Sequence, residues 1–469
     1  MGRVYRDYNI DQSLLLPPDL REWLPEGHLA LFLHDLVAEL DLHSIFAAYE
    51  GGDGRGKPPY HPRLLVALLL YAYCLGIPSS RKIESATYTD IAFRVLTANQ
   101  HPDHSIIALF RQRHLKDLAD LFVQVLQLCQ KAGLVKLGHV SIDGTKILAN
   151  ASKHKAMSYE RMCSAEKELV ASLEDLKSAA QQWITKAEQV DAKEDETFGK
   201  GKRGDELPES LIRRESRLVV IRHAKAQLEE EARIKAREEA QIAQKKRDKR
   251  EIQEEMTGKK PSGRTAVINN PAEAVPDAKA QKNFTDPESR IMKDGAIKSF
   301  VQGYNAQASV DSHCQIIVSA GVTQDANDKK QLTVMLGKTN ENLQCNPLQV
   351  SADSGYFSQE VLQSPLLSGV ALFISPGKER RLESDCSVNE SECAKAMRVL
   401  LNSEAGKAVY SRRKVIVEPV FGQIKERRGF RRFSFRGLAR TDQEWSIVCL
   451  THNLLKLHRF GQCSDRRKC

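Results

Sequence analysis

The chain has 469 residues, of which 41% are hydrophobic, and this is enough for roughly two or three folded domains with a sizeable core. Its longest apolar run, at residues 64–75, is shorter than the ~20 residues of a membrane-spanning helix. The N-terminus, MGRVYRDYNIDQSLLL, alternates charged and apolar residues, so no secretory signal is predicted. These features predict a cytoplasmic protein.

The positive charge of the chain is concentrated near the C-terminus. The formal net charge is +9, and residues 411–440 hold ten Lys or Arg against two Glu. Such a patch attracts polyanions, and DNA and RNA are the commonest polyanions of a cytoplasm. A nucleic-acid partner is therefore predicted.

The first part of the chain is predicted to be helical. Apolar residues recur at helical spacing between residues 20 and 135, and the segment is divided by Pro58, Pro62, Pro78 and Pro102. We therefore predict an N-terminal helical domain over residues 1–135.

A strand and then a long charged segment follow. Residues 139–143, HVSID, alternate as in a strand and end at Asp143. Between residues 201 and 260 there are seventeen basic and thirteen acidic residues. Interleaved charge of this kind is typical of a solvated helix or helical hairpin. We interpret residues 155–285 as a charged helical insertion.

Strand character returns near residue 300. The string FVQGYNAQASVDSHCQIIVSAGV, at 300–322, predicts a hairpin, and a helix is predicted over 325–343. Further strands are predicted at 348–353, ending in Asp353, and at 371–376. The chain is then mainly helical to about residue 460, with a tail at 461–469. This order predicts an α/β fold with a mixed sheet.

Three acidic residues are candidate cation ligands. Asp143 and Asp353 each follow a predicted strand, and Glu418 lies inside the basic stretch. Singly, each has an ordinary explanation as a turn former, a helix cap or an arginine partner. Together, three carboxylates repel one another unless cations compensate, and oxygen ligands suit Mg²⁺ or Mn²⁺. Two such ions about 3.5–4 Å apart would support displacement at phosphorus.

Other polar residues of the same region are predicted to be structural. Asp311 lies at the predicted hairpin turn, where aspartate is favoured for backbone reasons. His452 and Asn453 lie in an apolar helix, where packing roles are expected.

Several strings of the sequence resemble one family of enzymes. GYNAQASVD at 303–311, ADSGYFS at 352–358 and VEPVFGQIKERRGFRRFSFRGL at 417–438 are similar to bacterial insertion-sequence transposases, particularly the insertion sequence 1182 group. The strings HPRLLVALLLYAYCLGIPSSRKIE and PDHSIIALFRQRH resemble the N-terminal domain of the same enzymes. The order Asp143, Asp353, Glu418 resembles the catalytic triad of the RNase H-like DDE transposases. The resemblance extends from about residue 20 to residue 460.

This resemblance implies a fold and an activity. It implies an RNase H-like catalytic domain over residues 136–460, with two Mg²⁺ ions (Mn²⁺ possible) held by the triad. It also implies that the N-terminal helices bind the terminal inverted repeats of the element. Cleavage of the DNA ends and strand transfer of the 3′-OH into target DNA would follow, carried out by a homodimer in a synaptic complex. The expected location is the bacterial cytoplasm, at the nucleoid.

Many relatives carry the C-terminal signature Y-x2-R-x3-E-x6-K. Glu418 and Lys425 keep its last spacing, which predicts that they share one helix face. Tyr410 and Arg413 stand one place too early, and Lys414 is an alternative to Arg413 as a phosphate contact. Phenylalanines 430, 433 and 435 interleave with the arginines, which favours docking on a phosphate backbone. The predicted DNA contacts are Lys425, Lys414, Arg413, Tyr410, Arg428 and Arg432.

Two other functions fit the same residues. One is a metal-dependent nuclease that cuts without strand transfer, and the other is a catalytically silent DNA-binding repressor. The intact triad favours an enzyme over a repressor. Short inverted repeats with a target-site duplication in the flanking DNA would favour transposition over both.

Overall fold

The computed structural model describes residues 19–49, 58–152, 155–175, 209–258, 265–293, 299–362, 364, 367–377 and 392–465. The fold is mixed α/β, as predicted, with a mixed sheet and many helices. It divides into two compact units. Unit 1 comprises Met1–Leu148 with Tyr304–Cys469, and unit 2 comprises Ala149–Gly303. In the described parts of the chain, no helix is long and apolar enough to cross a membrane.

The N-terminal part of unit 1 is helical. Pro62 occupies the first turn of one helix, and the carboxylates of Asp90 and Asp103 accept backbone N–H bonds at the starts of two others. Residues 50–57 lie outside the described residues. The helices are Leu29–Glu39 (α1), His43–Ala47 (α2), Pro62–Cys74 (α3), Ser80–Thr89 (α4), Ile91–Leu96 (α5), His104–Arg113 (α6) and Leu115–Lys131 (α7).

In the described residues of its C-terminal part, unit 1 has five more α-helices. They are Gln331–Leu343 (α10), Gln359–Leu362 (α11), Glu392–Asn402 (α12), Glu404–Gly422 (α13) and Leu438–Asp465 (α14). Helix α14 packs on α3, on α7 and on the sheet, so the N-terminal helices and the C-terminal helices share one compact unit. It also extends through residues 461–465 of the predicted tail, and residues 466–469 lie outside the described part.

A buried polar network joins α3 to α14. The hydroxyl of Tyr73 donates to Glu444 Oε1 at 3.2 Å, and Glu444 Oε2 accepts from the backbone N–H of Ser434 at 2.8 Å. The guanidinium of Arg111 lies 5.2 Å from the centre of the Phe435 ring and donates to the Tyr73 hydroxyl at 3.4 Å. Burial raises the pKa of Glu444, and the backbone N–H groups of Ser434 and Phe435 and the charge of Arg111 lower it only in part.

The sheet of unit 1 has the strand order β6-β5-β1-β7-β8. Strand β1 runs parallel to β7, and β7 runs parallel to β8, whereas β5 and β6 form an antiparallel hairpin. Most side chains of its central strands are buried, and they include polar residues such as Ser141, Asn305 and Ser351 beside the aliphatic ones. Burial of this kind is typical of a sheet covered by helices. The strands are His139–Leu148 (β1), Phe300–Asp311 (β5), Ile317–Thr323 (β6), Gln349–Ala352 (β7) and Ala371–Ile374 (β8).

Strand β1 is longer than the sequence predicted. It does not end at Asp143 but continues to Leu148, so Asp143 lies inside the strand. The second half of β1 gains a partner from far along the chain. The N–H of Leu148 donates to the carbonyl of Arg431 at 3.0 Å, and the N–H of Phe433 donates to the carbonyl of Leu148 at 2.9 Å. This pairing depends on tertiary structure, so local residue preferences did not predict it.

Unit 2 contains the charged segment predicted as an insertion. Residues 159–175 (α8) and Glu209–Thr257 (α9) are helical, and Met162 of α8 packs with Ile221 and Leu228 of α9. Two strands not predicted from the sequence, Ala156–Ser158 (β2) and Gln281–Asn283 (β3), pair at the base of the helices. At three residues each they are too short to produce an alternating pattern. Another short strand, Arg290–Lys293 (β4), pairs with the first residues of β5.

Candidate active site

Asp143 and Asp353 lie side by side in the sheet. The parallel pairing of β1 with β7 places Ile142 opposite Ala352, and the two aspartates are the next residues in this register. Adjacent strands are about 4.8 Å apart, so the aspartates come from neighbouring positions at one edge of the parallel strands. The structure thus brings together two residues that are separated by more than 200 positions in the sequence.

Each of these aspartates also binds a nearby backbone N–H. Asp143 Oδ1 accepts from the N–H of Gly144 at 2.8 Å. Asp353 Oδ1 accepts from the N–H of Gly355 at 2.8 Å and caps the short 3-10 turn Ser354–Tyr356. The capping role considered from the sequence is therefore present at Asp353. A carboxylate offers two oxygens with about four lone pairs, so a single backbone donor does not saturate it.

The environment of Asp143 disfavours its charged form. Burial raises the pKa of the Asp143 carboxyl to about 7, and the neighbouring carboxylates of Asp353 and Asp328 also raise it. The backbone N–H of Gly144 and the guanidinium of Arg413 lower it, but they do not offset the burial. A carboxylate kept in such surroundings is typical of a functional site.

Asp328 is an acid of this site that the sequence interpretation missed. It lies in the loop before α10, and its Oδ1 accepts from the side-chain amides of Asn305 and Gln307, at 2.7 Å each. These amides lie two residues apart on β5 and are buried. The signal in the sequence is this pair of side-chain amides at alternate positions of β5, which places them on one face of the strand.

Gly144 permits the close approach of these groups to β1. A Cβ atom at residue 144 would stand 2.3 Å from Gln307 Nε2 and 2.8 Å from Asn305 Oδ1. It would also stand 3.0 Å from Asp328 Oδ1. Only glycine leaves this space, which explains the Gly that follows Asp143.

Glu418 lies on α13, which packs on β1, β7 and β8. The helix turns Arg413, Val417 and Val420 inward, whereas the Glu418 side chain is exposed. The hydroxyl of Ser141 donates to the carbonyl of Arg413 at 3.4 Å, and Lys425 Nζ donates to Thr145 Oγ1 at 2.7 Å. Glu418 lies between these two contacts along the chain, so it belongs to the part of α13 that passes Asp143.

The structure does not gather Glu418 with the aspartates into a closed ligand set. Among the described residues, the one group of three acidic or metal-ligating side chains with all ligand atoms within 4.8 Å of one another is Glu84, Asp103 and His104. The predicted shared face of Glu418 and Lys425 also needs revision. A π-helical turn, Gln423–Arg427, follows α13 and changes the rotation per residue before Lys425 is reached.

The predicted DNA contacts differ in their exposure. Lys414 and Arg432 are exposed, while Lys425 and Tyr410 are partly buried. Arg413 is buried and its guanidinium lies 5.5 Å from the centre of the Tyr410 ring. Arg428 is also buried, and its guanidinium donates to the carbonyl of Val448 at 2.9 Å. Arg428 therefore stabilises the packing of α14 and offers no surface for a phosphate.

The phenylalanines among the arginines are buried, so the mixed pattern that was predicted to favour docking on a phosphate backbone is not a mixed surface. Phe433 packs edge-to-face on Tyr304, with ring centres 5.9 Å apart, and Phe430 packs on Phe433 at 5.7 Å. Phe435 is 7% exposed. These rings hold the segment after α13 against the interior, so only the arginines between them reach the surface.

The residues predicted to be structural have backbone partners. The carboxylate of Asp311 accepts from the N–H groups of Leu137 and His313, at 2.7 Å each. Asn453 binds both backbone groups of Ile317, and His452 Nε2 lies 2.9 Å from the carbonyl of Gln315. Burial lowers the pKa of His452 to about 3. All three residues stabilise the hairpin and its packing.

Two protein-family models match parts of the chain. The transposase domain DUF772 matches residues 18–113, and the transposase DDE domain matches residues 377–458. Both are transposase domains. The matches support an insertion-sequence transposase, and transposase domains imply DNA as the partner. The DDE match includes Glu418 and Lys425, whereas Asp143 and Asp353 lie outside both matches. No curated protein and no solved structure matches the chain.

Proposed function

We propose that the protein is a DDE transposase of the insertion sequence 1182 group, with an RNase H-like core. The proposal rests on one observation above all, the adjacent placement of Asp143 and Asp353 on parallel strands beside α13. The strand order β6-β5-β1-β7-β8, with an antiparallel hairpin next to parallel strands, supports the proposed core. The two transposase matches on either side of these strands support the same function.

The residues at this edge fit a divalent cation. Their ligand atoms are hard carboxylate oxygens, which suit Mg²⁺ or Mn²⁺. The raised pKa of Asp143 indicates that its negative charge lacks sufficient compensation from the protein. DDE transposases generally use divalent metal ions. We propose that Asp143, Asp353 and Glu418 hold two such ions, which would activate the attacking oxygen and stabilise the leaving oxygen at phosphorus.

The exposed position of Glu418 gives it a specific part in this proposal. Its side chain projects from the portion of α13 that passes β1, with Arg413 and Lys425 fixing the helix on either side. Glu418 would turn toward the aspartates when DNA and cations arrive, since three carboxylates without cations repel one another. Lys425, which donates to Thr145 two residues beyond Asp143, would hold a phosphate at the same edge.

The DNA-binding surface is proposed on the exposed basic residues of the C-terminal stretch. Lys414 and Arg432 are the predicted contacts that are exposed, and Arg427 and Arg431 beside them are exposed as well. We propose that they position the phosphate backbone, while the N-terminal helices recognise the terminal repeats. Cleavage at the element ends and strand transfer would be carried out by a homodimer in a synaptic complex at the nucleoid.

Cleavage of a labelled duplex that carries the element's own end tests this function. With Mg²⁺, the wild type is expected to cut at the element boundary, and Asp353→Asn is expected to lose at least about 10³-fold in rate while it still binds the duplex. EDTA should abolish cutting by the wild type. Asp325→Asn, which removes an exposed carboxylate outside the site, is the matched control and should cut normally.

The alternatives predict other results in the same assay. Cutting without joining of the 3′ end to a target duplex would favour the nuclease. Binding without cutting, in Mg²⁺ and in Mn²⁺, would favour the DNA-binding repressor. Normal cutting by Asp353→Asn would contradict the assignment of the site.

The proposed phosphate contacts predict a change in salt dependence. In Lys414→Ala/Arg432→Ala, the slope of log affinity against log salt concentration should fall by about 2, because each lost phosphate contact removes about 0.9 from the slope. Fluorescence anisotropy between low and high salt concentration measures the slope. Lys395→Ala on α12 also removes an exposed positive charge and serves as the control. An unchanged slope in the double variant would place the DNA on another surface.

A further inference from the structure

The position of the Asp328 side chain is not explained by a role in starting α10. Asp328 lies three residues before the first residue of α10. Lys330, which immediately precedes this helix, makes no side-chain hydrogen bond to the first turn. The Asp328 carboxylate does not cap the helix either. Its backbone carbonyl alone serves the turn, by accepting from the N–H of Gln331 at 2.9 Å. The carboxylate is directed instead to the amides of β5 and to the neighbourhood of Asp353.

The two oxygens of Asp328 have different surroundings. Oδ1 accepts from both Asn305 Nδ2 and Gln307 Nε2. Oδ2 is engaged in no hydrogen bond within the described parts of the chain. A Cβ atom built on Gly355 would stand 3.6 Å from Asp328 Oδ2 and 3.0 Å from Asp353 Oδ1, so these two oxygens flank the same space.

Asn305 directs an unsatisfied acceptor at this site. The Asn305 side chain is fully buried, and its Oδ1 has no hydrogen-bond donor among the described residues. The orientation of the amide is fixed, because Nδ2 donates to the carbonyl of Asp325 at 3.1 Å and to Asp328 Oδ1 at 2.7 Å. Oδ1 points at Gly144, the neighbour of Asp143. A buried acceptor without a donor is costly, so such an atom indicates a missing partner, such as a water molecule.

Gln307 is held rigidly behind Asp328. Its Oε1 accepts from the hydroxyl of Tyr356, and its backbone carbonyl accepts from Trp445 Nε1 at 2.9 Å. Tyr356 and Trp445 are both fully buried. The amides that hold Asp328 are therefore fixed by the core of unit 1, as expected for groups that orient a ligand.

We propose that Asp328 is a further carboxylate ligand of the divalent-cation centre, with Asn305 and Gln307 as its positioning residues. The inference rests on the proposed function, because it adds a ligand to the same centre. Asp328 Oδ2 supplies hard oxygen beside Asp353, and Asn305 Oδ1 accepts a hydrogen bond from a water of hydration. Orientation of a ligating carboxylate by hydrogen-bonded neighbours is a general feature of metal sites.

Binding of Mn²⁺ alone to the full chain, without DNA, tests the inference. Electron paramagnetic resonance of free Mn²⁺ gives the dissociation constant, and Asp328→Asn is expected to raise it at least about tenfold. Asp325→Asn removes a carboxylate three residues away in the same loop and should change it less than about twofold. Asparagine keeps an oxygen for the two amides, so Asp328→Asn should retain the wild-type far-UV circular dichroism.

A second variant keeps the inference falsifiable if Asp328→Asn does not fold. Asn305→Ser keeps the Asp328 carboxylate and removes one of the two amides that orient it, and we expect a dissociation constant about tenfold above that of the wild type. Wild-type binding of Mn²⁺ by Asp328→Asn, or by Asn305→Ser if the former is unfolded, would overturn the inference, as would an absence of Mn²⁺ binding by the wild type. Failure of the proposed function has a different signature, since Mn²⁺ would bind through Asp328 but the element end would not be cut.

Discussion

Asp143→Asn is expected to stabilise the cation-free protein at pH 8 by about 2–4 kcal/mol, while it abolishes cleavage. The Asp143 carboxyl has its pKa raised to about 7 by burial and by the carboxylates of Asp353 and Asp328. In the unfolded chain the same group titrates near pH ~4. The folded protein must therefore hold an unfavourable charge at pH 8, and asparagine removes it.

The stability difference between Asp143→Asn and the wild type should change with pH in a definite direction. Because the pKa of an acid is higher in the folded state, the folded state binds more protons between about pH 4 and pH 7. The wild type therefore loses stability as the pH rises through this window, and the loss is complete above pH 7. The variant should exceed the wild type in stability at pH 8 and match it near pH 4, as measured by urea denaturation in EDTA.

Added Mn²⁺ provides the control for this experiment. A cation that binds the folded state stabilises it by mass action, so Mn²⁺ should raise the stability of the wild type and reduce its deficit relative to the variant. Asp325→Asn should behave as the wild type does at every pH. If Asp143→Asn were less stable than the wild type at pH 8, or if the difference did not vary with pH, the account of Asp143 would be wrong.

Gly144→Ala is expected to destabilise the protein by about 2–4 kcal/mol and to abolish binding of Mn²⁺. The new Cβ atom would stand 2.3 Å from Gln307 Nε2, too close for two non-bonded atoms. Gln307 does not move away freely, because its side chain bonds both Asp328 and Tyr356 in the core. Relief of the clash therefore requires the loss of buried hydrogen bonds at the site.

Gly138→Ala is the matched control for this substitution. Gly138 directly precedes β1, and a Cβ atom there would meet nothing within 4 Å. The stability of Gly138→Ala in urea and its affinity for Mn²⁺ should stay close to those of the wild type. Wild-type stability in Gly144→Ala would mean that the amides of Asn305 and Gln307 are not held as tightly as their hydrogen bonds indicate.

The amino-acid pattern predicted the order of the main elements well. Apolar residues at helical spacing predicted the helices before residue 135, and period-two alternation predicted the hairpin of β5 and β6 and the strands β7 and β8. Both signals are local, because side chains repeat every 3.6 residues in a helix and every 2 in a strand. Where local preference was weak, at β2 and β3 and in the second half of β1, the prediction was incomplete.

The sequence by itself determined which chemical groups this protein carries, and the tertiary structure decided which of them meet. The sequence itself shows the small residues after Asp143 and Asp353 and the basic residues around Glu418. The adjacency of the aspartates depends on the pairing of β1 with β7, and the amide-held Asp328 depends on the packing of its loop against β5. The burial of Arg428 and of the phenylalanines depends on α14 and its neighbours. These contacts join residues that are distant in sequence. They are stabilised by the burial of apolar surface between elements, which depends on the whole fold and not on a local pattern.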